Sequence, residues 1–218
     1  MESSILNIIK LVSLIESLLA VARKGRLALR IREQLTFWVS RSVQYENALI
    51  DLILDIQDLY GRRAVLAKRQ RVVCRARDVV IRDLAWGEGE AIAGYSSRGA
   101  RRLGVNAEGS KKAVLLVPSH EPEPGRILEI RSRRLIRAGF QETEEYFDTL
   151  VERPTRRLAL KIVFPRARPP SSARIVSEGH NIRAQTIPVR FGSDGRPFLA
   201  WHRQAPEMFR TYSLRWRW

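Results

Sequence analysis

The sequence predicts an α+β protein, with a helical hairpin over residues 1–60 and a mostly antiparallel β-sandwich or open β-barrel over residues 61–218. Three observations carry this reading. Apolar residues recur at spacings of three and four up to Tyr60. After Gly61 they alternate with polar residues between closely spaced glycines and prolines. The charge balance breaks at the same place: residues 1–60 carry seven Lys/Arg and seven Asp/Glu, so the whole net charge of +16 lies downstream.

Ser3 or Ser4 is placed to cap a first helix from Ile5 to Ala22, whose stripe includes Ile5, Ile8, Ile9, Val12, Ile15 and Leu19. Lys24-Gly25 ends it. As a membrane span this stretch is borderline in length and carries Asn7, Lys10 and Glu16, so a buried helix of a soluble protein is the better reading. No basic leader or small-residue cleavage site marks it as a signal peptide. A second helix is expected over residues 27–60, where Tyr45, Leu49, Leu52, Ile53 and Ile56 continue the spacing begun at Leu35, Trp38 and Val39. Two helices cannot close a core alone, so residues 1–60 are expected to bind a protein partner or a second copy of the chain.

Downstream, Val65–Cys74 and Val79–Leu84 read as half-buried strands interleaved with arginine. Glycines at 87, 89, 94, 99, 104 and 109 suit turns between short strands. Ala113–Val117 is an apolar run that fits a central strand, and Ile127–Ile136 and Leu158–Phe164 follow as strands. Glu142, Glu144, Glu145 and Asp148 suggest a short exposed helix or a loop, or an acidic patch that meets a basic one. Ile187–Phe191 and Phe198–His202 flank Gly192-Ser193-Asp194-Gly195 as a hairpin. In the last segment Tyr212, Leu214, Trp216 and Trp218 alternate with Ser213, Arg215 and Arg217, as in a strand with one face in the core.

An excess of 16 positive charges attracts polyanions, although an Arg-rich genome or a heat-adapted protein with an arginine-laced surface would show the same bias. Two basic groups are the candidate polyanion contacts. Arg131 and Arg133 share a strand face, Arg134 points away from them, and Arg156, Arg157 and Lys161 on a neighbouring strand extend the charge. Arg98, Arg101 and Arg102, with Lys111 and Lys112, form the second group over glycine-rich loops. Neither contains a phosphate-binding loop motif.

Catalytic and metal chemistry find little footing. Ser119-His120-Glu121 holds three triad residue types, but adjacent residues cannot adopt triad geometry with one another, and no nucleophile elbow is present. Cys74 is the lone cysteine and sits on an apolar alternation, so an inert core thiol is expected, which with the lack of any disulfide suits the cytoplasm. The histidines at 120, 180 and 202 show no ligand spacing, so no metal or cofactor is expected. The composition therefore points to a non-enzymatic interaction or sensing module, acting as a subunit of a larger prokaryotic assembly. A nucleic-acid-binding protein using a basic sheet face is the alternative, and a membrane-active effector using the first helix is the third.

Overall fold

In the computed structural model of the chain, residues 44–85, 90–108, 111–178 and 183–218 are described, and they belong to one compact unit, Gln44–Trp218. They form three sheets and contain no helix. The seven-stranded sheet uses β1 (Tyr45–Ile56), β2 (Arg63–Cys74), β4 (Glu90–Arg98), β7 (Ile127–Arg137), β9 (Arg157–Val163), β12 (Arg190–Phe191) and β13 (Pro197–Gln204). Its order is β12-β13-β9-β1-β2-β7-β4. A four-stranded sheet orders β11 (Arg183–Thr186), β10 (Ser172–Glu178), β14 (Thr211–Arg217) and β8 (Glu144–Leu150). A three-stranded sheet orders β3 (Ile81–Ala85), β6 (Lys111–Pro118) and β5 (Ala100–Glu108).

The predicted helical hairpin is therefore corrected: the described chain is all-β, and its sheets do not close into a barrel. The proposed first helix, and the stretch up to Val43 of the second, lie outside the described residues. Most of the remainder of the second helix is strand β1, and its last four residues enter the turn to β2. The residues of β1 fit both periods, because Ile50, Leu52, Leu54 and Ile56 also repeat every second position, and all four are buried on one face. A β-bulge between Asn47 and Leu49 keeps Tyr45 and Asn47 on that same face. β1 lies between antiparallel β2 and parallel β9, and this parallel pairing is the exception in a predominantly antiparallel fold. The acidic segment read as helix or loop is strand β8, with Glu145, Phe147 and Thr149 turned inward.

Asp58 organises the turn from β1 to β2 by accepting from the backbone amides of Tyr60, Arg62 and Arg63. Gly61 follows at φ +68°, and a Cβ there would sit 1.6 Å from the Phe140 carbonyl oxygen. The position therefore excludes every other residue on both backbone and contact grounds.

Both small sheets cover the same face of the large one. On β2, Ala64 and Leu66 join the core shared with the four-stranded sheet, while Val72 and Cys74 join the core shared with the three-stranded sheet. β7 divides likewise, with Ile136 in the first core and Ile130 in the second. Tyr212, Leu214 and Trp216 of β14 are buried as the alternation predicts, and Trp218 packs against them at the rim. Cys74 is fully buried, which pushes its thiol pKa up. The apolar run Ala113–Val117 forms the central strand of the three-stranded sheet.

Candidate polyanion-binding face

The face of the large sheet turned away from both small sheets collects arginine. Register places Arg69 of β2 opposite Arg131 of β7, and Arg131 opposite Arg98 of β4. Neighbouring strands lie about 4.8 Å apart, so three guanidinium-bearing residues stand side by side. Arg133 follows two positions along β7, and Arg71 two positions along β2. Like charges directly opposite one another weaken a sheet. The cluster is thus a cost to the fold, only part of which is offset nearby. Glu129 accepts from Arg131 Nε at 2.8 Å, and Asp51 lies 3.6 Å from Arg69. The hydrogen bond from Arg131, with the charges of Arg69 and Arg71 beside it, holds the Glu129 carboxyl below its usual range. Five arginines against two carboxylates leave this patch net positive, and guanidinium forks suit the paired oxygens of phosphate.

The residues singled out from sequence scatter more widely. Arg131 and Arg133 lie on this outer face, as the alternation requires. Arg134 is on the inner face and only 8% exposed, donating from Nη1 to the Leu84 carbonyl at 2.6 Å. Burial lowers its pKa, while the charge of Asp83 opposes the fall. Arg157 and Lys161 of β9 share the outer face with Arg131, but β1 and β2 intervene, so about 14 Å of sheet separates β9 from β7. Lys161 sits over the Phe198 ring, 4.5 Å from its centroid. Exposed Arg156 precedes β9, its amide donating to the Asn47 carbonyl at 2.8 Å. The neighbouring strands predicted for these two groups are thus not neighbours.

Arg101 and Arg102 begin β5 and pair with Val117 and Leu116, whereas Lys111 and Lys112 pair with Glu108 and Ala107 at the far end of the same hairpin. They belong to strands, not glycine-rich loops, and five residues of extended chain, about 17 Å, part the two pairs. Arg69 and Arg71 were missed by sequence reasoning, and Arg98, grouped there with Arg101 and Arg102, stands instead beside Arg131. Their alternation was visible, but only register shows that they meet Arg131.

No protein-family model and no curated protein matches the chain. Among solved structures, the chain is similar to an M1 zinc metallopeptidase from Deinococcus radiodurans, at 12% identity and TM-score 0.46, covering 78% of this chain and 42% of that one. A protein from Parabacteroides distasonis provisionally described as a protease aligns at 9% identity and TM-score 0.47, over 80% of this chain and 40% of that one. The chain thus spans about two fifths of the length of these proteins, and neither likeness is close enough to transfer an activity.

Proposed function

We propose that the β unit is a non-enzymatic, cytoplasmic binding module that holds a nucleic-acid backbone on the outer face of β2, β7 and β4. The side-by-side placement of Arg69, Arg131 and Arg98 carries this reading. A fold gains nothing from like charges in register, whereas a phosphate chain laid across them neutralises the row and releases its counterions.

Fluorescence anisotropy with labelled single- and double-stranded oligonucleotides tests the idea across a salt series. Binding should weaken steeply with salt, and the double variant Arg98→Glu/Arg131→Glu should lose affinity and flatten the logarithmic salt slope by about 2. Arg77→Glu/Arg126→Glu, at two exposed loop positions, serves as the charge-matched control and should change little. Absence of binding near ~50 mM salt, or a slope indifferent to the double variant, would refute the reading.

A further inference from the structure

The two apolar cores on the inner face do not meet. Between them the alternation of β2 presents Lys68 and Gln70, and that of β7 presents Ser132 and Arg134. Asp83 of β3 descends into this polar seam. It accepts from Lys68 Nζ at 3.0 Å, Tyr95 Oη at 2.8 Å and Ser132 Oγ at 2.8 Å. At one side Gln70 Nε2 donates to Asn47 Oδ1 at 2.7 Å, and Asn47 Nδ2 donates to Thr155 Oγ1 at 3.1 Å. At the other, Arg82 Nη1 donates to Glu152 at 2.8 Å.

Beside this network lies a cavity of about 60 Å³. Among the buried polar atoms of its lining that find no hydrogen-bond partner among the described residues are Nε of Arg82, Nε of Arg134 and Oγ1 of Thr149. Arg134 and Thr149 are each only 8% exposed. Buried donors left unpaired are costly and uncommon in native proteins. Each of the three is a hydrogen-bond donor, and two belong to cations. The wall carries Lys68, Arg82, Arg134 and Arg153 against Asp83, Asp148 and Glu152, a balance of one positive charge. Lys68 and Arg82 are matched to Asp83 and Glu152, so those carboxylates are not free to repel a guest. The volume exceeds that of one water but falls far below the roughly 300 Å³ of a pocket for drug-sized ligands.

We infer that this cavity is a binding site for a single small oxyanion of the phosphate type, held by the Nε donors of Arg82 and Arg134 and the hydroxyl of Thr149. The site is separate from the outer arginine row and does not depend on it.

The test uses the full-length chain with inorganic phosphate, at ionic strength held constant with chloride. Thermal unfolding and titration calorimetry should show a saturable stabilisation that grows with the logarithm of phosphate concentration. Thr149→Val keeps the side-chain shape and the Lys68–Asp83 pair, and should weaken phosphate binding about tenfold, the usual cost of a lost hydrogen bond to a charged group. Arg82→Gln should act in the same direction. Arg98→Glu/Arg131→Glu should retain the effect in full. Absence of stabilisation beyond matched chloride, as when the cavity holds only water, would overturn the inference. So would stabilisation unchanged in Thr149→Val, or lost only in the outer-face variant.

Discussion

Asp83 shows how one charge is made compatible with a core. Burial alone would raise its pKa, but the charges of Lys68 and Arg134 and the hydrogen bonds from Tyr95 and Ser132 bring it from 3.8 to about 2. A carboxyl with a depressed folded pKa stabilises the fold above its ordinary value, and loses that contribution as pH falls through the folded one. Asp83 should thus contribute about 2 kcal/mol near neutrality, vanishing between about pH 4 and pH 2. Asp83→Asn leaves Lys68 buried beside a neutral partner, so chemical denaturation should show a loss of about 3–5 kcal/mol and no pH step in that window. Burial first, and the neighbouring Asp83 charge second, raise the Tyr95 pKa well above its ordinary value, so its hydroxyl stays a donor. At Gly61 the restriction is geometric. Gly61→Ala should cost more than about 1 kcal/mol, because a left-handed backbone and the Phe140 carbonyl both oppose the methyl group.

The strands differ in how openly the sequence declares them. β14 is plain: polar and apolar residues alternate strictly, and the ring of Trp216, at 2% exposure, lies 5.7 Å from that of Phe140 and 5.6 Å from that of Phe164, centroid to centroid. Trp216→Ala should therefore cost about 3–5 kcal/mol, visible as a large drop in melting temperature. β1 was misread because its position between two strands admits apolar residues on both faces. Half-buried Leu49 and 38%-exposed Ile53 fill the gaps in the alternation and complete a helical spacing. The arginine face was legible only within single strands. Parity put Arg131 and Arg133 together and turned Arg134 away, both as observed, but no local pattern fixes which strand lies beside which. The outer row also predicts a conflict between binding and stability. Arg98→Glu replaces a repulsion with an attraction toward Arg131, so it should raise the melting temperature slightly while weakening nucleic-acid binding.

At the scale of the molecule, the two faces of one long sheet differ in character. The inner face carries two apolar cores with a charged seam between them, and the outer face carries the arginines. Continuous strands β2 and β7 run beneath both cores, so the backbone ladder does not break where the apolar contact does. Hydrogen exchange checks this: amides of β2 and β7 should be protected along their whole lengths, while β5, an edge strand of the smaller sheet, exchanges first.

The parallel pairing of β1 with β9 constrains how the chain reaches this state. Ile50 lies in register with Leu158, about a hundred residues further along. The β1–β2 hairpin closes locally, but the other edge of β1 waits for a distant partner, and closing so long a loop costs entropy before any contact repays it. During synthesis that edge stays open until residue 163 has emerged, presenting unpaired amides and carbonyls beside Leu52 and Leu54. Folding should be slow for the protein's size, and nascent chains halted before β9 should be prone to strand-mediated association with one another.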